Sequence, residues 1–246
     1  MNAIESSIRT AAAAGRPAVA AFLTAGFPDP GDFEDLLRSV ASVADLVEIG
    51  VPFSDPLADG VTIQRASRSA LRAGITLDWI LDRLSAVRVA VPLILMSYLN
   101  PLLAMGLGEA ARRSAEAGVA GLIVPDLPFE ESTPLLRPAS RAGLSLVQIV
   151  TPVTPPGRMR WIAGSSSGFL YAVTATGTTG GDVPPSETML AYLDRVRRRT
   201  TLPVLAGFGI RRAAQLREIS AHADGVIVGS ALIEAIERGE DPAAFL

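Results

Sequence analysis

The chain has 246 residues, a formal net charge of −3, 49% hydrophobic residues and 5% aromatic residues. This length fits one α/β barrel with an aliphatic core, and the acidic balance argues against nucleic acid or an anionic membrane as a partner. The absence of cysteine excludes disulfides and thiolate chemistry, and the single histidine, His222, excludes a His-rich metal site. All 22 basic residues are arginine, which excludes Schiff-base catalysis and covalent attachment of pyridoxal phosphate.

Helix-like and strand-like segments alternate along the chain. Residues Met1–Ala14 predict an amphipathic helix rather than a signal peptide, because they carry Glu5 and Arg9 and lack an apolar segment with a cleavage site. The predicted strands are short runs, apolar on both faces as buried parallel strands are: Val19–Thr24, Leu46–Gly50, Leu93–Ser97, Gly121–Val124, Ser145–Val150, Gly168–Thr174, Val204–Ala206 and Gly225–Val228. The predicted helices between them are Asp32–Ala44, Thr62–Arg72, Leu77–Val89, Glu109–Ala117, Glu130–Ala142, Glu187–Arg199 and Arg211–Ser220.

Eight strands that alternate with helices in about 250 residues are typical of a (β/α)8 TIM barrel. No composition shift marks a boundary, so residues 1–246 are predicted to form a single-domain α/β fold, with a doubly wound open sheet as the rival architecture. The uncharged run Val89–Gly108 is long enough to raise the question of a membrane span. Pro92, Pro101 and Gly106 interrupt it, so a buried strand followed by a loop is predicted, in a protein expected in the cytoplasm.

Glu48 is the first candidate for chemistry, because it lies inside the apolar strand Leu46–Gly50 near its carboxyl end. Catalytic groups of a barrel lie at the carboxyl ends of the strands and in the loops that follow. The side chain points either into the barrel or towards the helices, and burying a carboxylate is costly unless it is paired or protonated. A general acid/base with a shifted pKa is the functional interpretation, and a hydrogen-bonded structural carboxylate is the alternative.

Two further carboxylates, Asp55 and Asp59, lie in the loop Pro52–Gly60 that follows the second predicted strand. Asp, Pro and Gly are ordinary turn residues, but this position also allows a second carboxylate to join the first when the loop closes. Asp126 follows the fourth predicted strand and is expected to anchor loops. His222 precedes the eighth strand, at the amino end of the barrel, and is expected in a surface or capping position.

Three glycine-bearing segments follow the last three predicted strands: Thr176–Gly181, Gly207–Gly209 and Gly229–Ser230. Glycine lets backbone N–H groups approach an anion closely, and a following helix N-terminus adds a favourable dipole. The loops after strands seven and eight are the usual phosphate site of this fold. The residues therefore predict a metal-free barrel that binds a phosphorylated small molecule and uses carboxylate acid/base catalysis. Isomerase, lyase and epimerase all stay open.

The stretch from Glu48 to Gln64, EIGVPFSDPLADGVTIQ, strongly resembles the signature of the tryptophan synthase α-chain family. The likeness continues in collinear order over almost the whole chain, in Phe22–Pro28 (FLTAGFP), Ser97–Pro101 (SYLNP), Pro125–Ser132 (PDLPFEES), Gly177–Gly180 (GTTG), Gly207–Ile210 (GFGI) and Val228–Leu232 (VGSAL). The resemblance implies a lyase of tryptophan biosynthesis. Its reaction is the retro-aldol cleavage of indole-3-glycerol phosphate to indole and glyceraldehyde 3-phosphate.

The resemblance also implies roles for individual residues. Glu48 is expected to protonate the indole ring at the carbon that bears the glycerol chain, and Asp59 to accept a hydrogen bond from the indole N–H. Five residues are expected at the phosphate: Thr179, Gly180, Gly209, Gly229 and Ser230. Four aromatic residues are expected to line the indole pocket: Phe22, Tyr98, Tyr171 and Phe208.

In this family the α chain binds a β chain that carries pyridoxal phosphate and receives the indole. The resemblance therefore implies a β-chain partner in an α2β2 heterotetramer, and no cofactor or metal in this chain. Asp55, Pro56 and the turn Asn100–Pro101 are expected to face the partner, and the loops Pro52–Gly60 and Ala175–Pro185 to close over the substrate. Three alternatives stay open: a stand-alone lyase that releases free indole, a non-catalytic activator of a β chain, and an epimerase of sugar phosphates.

Overall fold

The computed structural model describes residues 1–174, 186–207 and 218–246. Eight parallel strands in these residues close into a barrel in which each strand pairs with the next and the eighth pairs with the first. The strands are β1 (Ala18–Thr24), β2 (Leu46–Gly50), β3 (Leu93–Met96), β4 (Val119–Ile123), β5 (Ser145–Val150), β6 (Leu170–Val173), β7 (Val204–Gly207) and β8 (Gly225–Val228). The predicted (β/α)8 TIM barrel is thus confirmed, and the open doubly wound sheet was the wrong alternative.

Helices connect these strands, and most of them match a predicted helix to within a few residues. The predicted helix Arg211–Ser220 lies almost wholly outside the described residues. The described helices are Ala3–Ala13, Phe33–Ala41, Val61–Arg72, Leu77–Ala86, Leu99–Met105, Leu107–Glu116, Thr133–Arg141, Pro156–Ser165, Glu187–Arg197, Ser230–Glu237 and Pro242–Phe245, with short 3-10 turns at Pro30–Asp32 and Phe129–Glu131.

The run Val89–Gly108 contains β3 and then the helix Leu99–Met105, so the predicted loop after the strand was wrong. Pro101 is tolerated because it lies in the first turn of this helix, where backbone N–H groups have no intrahelical partner. The carboxylate of Asp126 accepts a hydrogen bond from the N–H of Leu99 at 2.9 Å, which confirms that Asp126 anchors this segment. Within the described part of the chain, no helix is long and apolar enough to cross a membrane.

The direction of Glu48 follows from the alternation of side chains along β2. Successive residues of a barrel strand face opposite sides of the wall. Leu46 packs in the cluster that fills the inside of the barrel, which the first helix closes at the amino end with Ile4. Val47 and Ile49 pack in the other cluster, between the strands and the surrounding helices. Glu48 therefore points into the barrel.

Candidate functional site

Glu48 is the most deeply buried acidic group of the site, with 1% of its surface exposed. It lies on β2 between its register partners Phe22 of β1 and Ile94 of β3. Its carboxyl Oε1 has no hydrogen-bond partner among the described residues. Burial raises the pKa of Glu48 to about 8, because an apolar surrounding disfavours the charged form. Near neutral pH the carboxyl group is therefore mainly protonated and can donate a proton inside the barrel.

Asp59 lies in the loop after β2 and is 9% exposed. Burial raises the pKa of Asp59 to about 6, while a hydrogen bond from the hydroxyl of Tyr98 lowers it. The same hydroxyl accepts a hydrogen bond from the N–H of Ala58 at 2.9 Å, and the ring stacks on Phe53 with the centroids 5.0 Å apart. Tyr98 thus holds this loop in place, and Asp59 is mainly ionised near neutral pH.

Tyr171 of β6 packs inside the barrel, within range of both carboxyl groups. Burial, and then the negative charges of Glu48 and Asp59, raise the pKa of Tyr171 well above its usual value. The phenol therefore keeps its proton. Two carboxyl groups whose surroundings push their pKa values apart are the arrangement expected of a general acid working beside a charged group.

A small cavity lies beside Asp59, at the carboxyl ends of β1, β2 and β3. Its lining is largely apolar and includes Phe22, Ile63, Met96 and Tyr98, together with Asp59. Ser67 and Ser97 are the other polar residues of the lining. A mainly apolar lining with a few polar groups suits a flat aromatic ligand. The carboxylate of Asp59 suits an N–H donor on that ligand.

Gly229 and Ser230 begin the helix Ser230–Glu237, which follows β8. The first N–H groups of a helix have no intrahelical partner and favour an anion. A Cβ on Gly229 would lie 3.7 Å from Cβ of Phe22, so this helix start adjoins the apolar cavity. Four of the predicted site residues lie outside the described residues, namely Thr179, Gly180, Phe208 and Gly209. The predicted loop 175–185 also lies outside them.

Gly50 makes room for the ring of Phe22 at the end of β2. A Cβ on Gly50 would lie 2.7 Å from Cε2 of Phe22 and closer still to Cζ. Gly50→Ala is therefore expected to displace the ring and to destabilise the protein by about 1–3 kcal/mol in urea unfolding. Gly164→Ala is the control for an added methyl group that meets no neighbour, since no atom lies within 4 Å of a Cβ there, and it should be neutral or slightly stabilising because alanine favours the helix Pro156–Ser165. A Gly50→Ala variant as stable as the wild type would show that the ring moves aside without cost.

The remaining predicted residues lie away from this cluster. The ring Nδ1 of His222 lies 2.9 Å from Oδ1 of Asp194, next to the amino end of β8, so it does not approach Glu48. Asp55 is exposed and bonds the hydroxyl of Ser54. Among residues 1–174, 186–207 and 218–246, no three His, Asp or Glu side chains are grouped as metal ligands. Sequence reasoning missed the bond from Tyr98 to Asp59, because no local pattern links two residues on different loops.

Comparison with known proteins gives one consistent result. The profile of the family described as Tryptophan synthase alpha chain matches residues 8–244. The Tryptophan synthase alpha chain of Nitratidesulfovibrio vulgaris strain DP4 is 47% identical, over 99% of this chain and 96% of that protein. That of Chloroflexus aurantiacus is 46% identical, over 97% and 91%.

Solved structures agree with the sequence comparison. The alpha chain from Legionella pneumophila superposes with a TM-score of 0.88 at 33% identity, over 100% of this chain and 93% of that chain. A chain of tryptophan synthase from Mycobacterium tuberculosis gives a TM-score of 0.92 at 33% identity, over 99% and 95%.

Proposed function

The chain belongs to the tryptophan synthase alpha chain family, and we propose that Glu48 and Asp59 are its two catalytic carboxyl groups. It is a lyase that cleaves indole-3-glycerol phosphate to indole and glyceraldehyde 3-phosphate in tryptophan biosynthesis. One observation carries the residue assignment. A buried carboxyl group with a pKa of about 8 lies on β2, and the carboxyl end of that strand lines a mainly apolar cavity together with a second carboxyl group whose pKa is about 6.

The two protonation states suit the two roles that the reaction requires. Protonated Glu48 gives its proton to the indole carbon that bears the glycerol chain, and the ring becomes a cationic indolenine. Ionised Asp59 accepts a hydrogen bond from the indole N–H and stabilises this charge. The carboxylate left on Glu48 then takes the proton of the side-chain hydroxyl next to the ring. The C–C bond breaks, its electrons return to the ring as indole leaves, and the hydroxyl carbon becomes the aldehyde.

The other residues of the site bind and orient the substrate in this proposal. Gly229 and Ser230 hold the phosphate at the start of their helix, together with Thr179, Gly180 and Gly209. The indole ring lies against Phe22 and Tyr98 at the place that the small cavity marks, with Tyr171 and Phe208 completing the pocket. The ring accepts the electrons of the broken bond, so the step needs neither a Schiff base nor a metal.

A tryptophan synthase β chain is the partner of this chain. The family assignment therefore favours a subunit over a stand-alone lyase. We propose an α2β2 assembly in the cytoplasm in which pyridoxal phosphate belongs to the β chain alone. Residues 1–246 form one domain in this proposal, and Asp55, Pro56 and the Asn100–Pro101 turn face the partner.

Indole release from indole-3-glycerol phosphate, measured with and without a β chain, tests the proposed function. We expect weak release by the chain alone and a marked increase when the β chain is added, because pairing favours the closed loops. High release that the β chain does not change would favour the stand-alone lyase. No release in either condition would contradict the lyase function.

The pH profile of indole release tests the role of Tyr98. The proposed mechanism needs Asp59 ionised and Glu48 protonated, so the wild-type rate is expected to peak between about pH 6 and about pH 8. The hydrogen bond from Tyr98 lowers the pKa of Asp59, so Tyr98→Phe is expected to raise it. The rate near pH 6 should then fall more than the rate near pH 8. An acidic limb that does not move would contradict this role.

A further inference from the structure

Two helices extend from the two ends of the proposed site and are bonded to each other. The helix Val61–Arg72 begins two residues after Asp59, and the helix Ser230–Glu237 begins at the proposed phosphate site. The hydroxyl of Thr62 donates a hydrogen bond to Oε1 of Glu234 at 3.0 Å. Thr62 is only 6% exposed, so this contact is shielded from water on the Thr62 side.

Two further contacts attach Asp59 and the helix start Gly229 to the same pair of helices. The side-chain amide of Gln64 donates a hydrogen bond to the backbone carbonyl of Asp59 at 2.9 Å. Ile63 packs close to Gly229, where an added Cβ would lie 3.8 Å from Cδ1 of Ile63. Residues of the first turn of the helix Val61–Arg72 thus touch both the phosphate end and the carboxylate end of the site.

Ser230 and Glu234 are one turn apart on one helix, so a shift at the helix start carries Glu234 with it. We propose that Glu234 is a positioning residue that couples phosphate occupancy at Gly229 and Ser230, through its bond to Thr62, to the placement of Asp59. The coupling rests on the proposed function, because it joins that site's phosphate and indole ends. It lets binding energy from the remote phosphate be used to orient a catalytic group.

A second pair joins the same two helices and supplies the control. Nε of Arg65 donates to Oε1 of Glu237 at 2.8 Å, and Nη2 bonds the other carboxylate oxygen. The side chain of Arg65 is 56% exposed, and exposed ion pairs contribute little because water and salt screen them. In this proposal the partly buried Thr62–Glu234 bond transmits the shift, and Arg65→Gln should change the acceleration by phosphate little in the experiment below.

The test separates the phosphate from the substrate. Indole-3-glycerol, which lacks the phosphate, is cleaved by the chain together with its β chain, and inorganic phosphate is added over a range of concentrations. In the wild-type protein, phosphate is expected to accelerate this cleavage on the order of 10-fold or more. The dissociation constant of phosphate is measured in parallel by calorimetry.

Thr62→Val removes the hydroxyl and keeps the shape of the side chain. It should reduce the acceleration by phosphate roughly 10-fold and leave phosphate binding at least as tight as in the wild type, because binding energy that no longer orients Asp59 stays in the affinity for phosphate. Thr62→Ser should restore the acceleration. Glu234→Gln keeps a weaker acceptor and should give an intermediate loss, which provides a second reading if Thr62→Val folds poorly. A merely structural contact would lower the rates with and without phosphate by the same factor.

Each result decides the proposal. Full acceleration by phosphate in Thr62→Val and in Glu234→Gln would overturn the coupling and leave the proposed function intact. So would a wild-type protein that cleaves indole-3-glycerol phosphate but shows no acceleration of indole-3-glycerol by phosphate. A protein that cleaves neither compound would overturn the proposed function and the coupling together.

Discussion

Replacing Glu48 with glutamine is expected to lower the rate of indole release on the order of 10³-fold, with little change in phosphate binding. Glutamine keeps the size of the side chain but can neither donate a proton to carbon nor take one from the hydroxyl. General acid/base groups contribute roughly 10²- to 10⁴-fold, and Glu48 serves twice in the proposed mechanism. Steady-state kinetics with indole-3-glycerol phosphate give the rate, and calorimetry with inorganic phosphate gives the binding. A variant that keeps most of its activity would contradict the central assignment.

The same substitution should stabilise the protein at neutral and alkaline pH. The pKa of Glu48 rises from an ordinary value of 4.5 to about 8 on folding, so the folded state binds more protons between these pH values. Its contribution to the free energy of unfolding is therefore present below about pH 4.5 and is lost as the pH rises towards about 8, by a few kcal/mol. Urea unfolding at pH 5 and pH 9 should show Glu48→Gln gaining on the wild type as the pH rises. A constant difference would show that burial does not shift this group.

Asp59→Asn is expected to lower the rate on the order of 10²-fold, the usual loss when one group that stabilises a developing charge is removed. Asparagine still bonds the indole N–H through its amide oxygen, but it brings no negative charge to the cationic indolenine. The measurement is indole release at pH 7, where Asp59 is ionised.

Asp55→Asn, assayed without a β chain, is the matched control in the same loop. The Asp55 side chain is exposed and bonds Ser54 rather than the proposed catalytic groups. Its rate should equal that of the wild-type chain. If both variants kept wild-type rates, the loop would serve only as a cover over the cavity.

The pKa values of Glu48 and Asp59 differ because a hydrogen bond offsets part of the effect of burial at Asp59. Glu48 sits on a strand inside the barrel, and within the described part of the chain its Oε1 has no hydrogen-bond partner that would offset the effect of burial on its pKa. Asp59 sits on a loop where the hydroxyl of Tyr98 offsets part of that effect. A neutral acid and a charged group can thus coexist at the same pH in one site.

The sequence by itself determined the barrel, because each buried β-strand is a short apolar run and these runs alternate with amphipathic helical segments. It also singled out Glu48, since a charge inside an apolar strand conflicts with burial. Short helices were less well predicted than strands. The helix Leu99–Met105 was missed because Asn100 and Pro101 have the composition of a turn, while the carboxylate of Asp126, distant in sequence, holds the helix start.

Only the tertiary structure decided how the candidate residues act together. Asp59 and Asp55 have the same chemistry and lie in one loop, and burial together with the contact to Tyr98 distinguishes Asp59 from the exposed Asp55. The bond between Thr62 and Glu234 likewise joins residues that are 172 positions apart in the sequence. A sequence records which side chains are available. The pKa values of the carboxyl groups and the proposed coupling between the phosphate site and Asp59 depend on distances across the closed barrel. These distances are set when the first and last strands of the barrel pair.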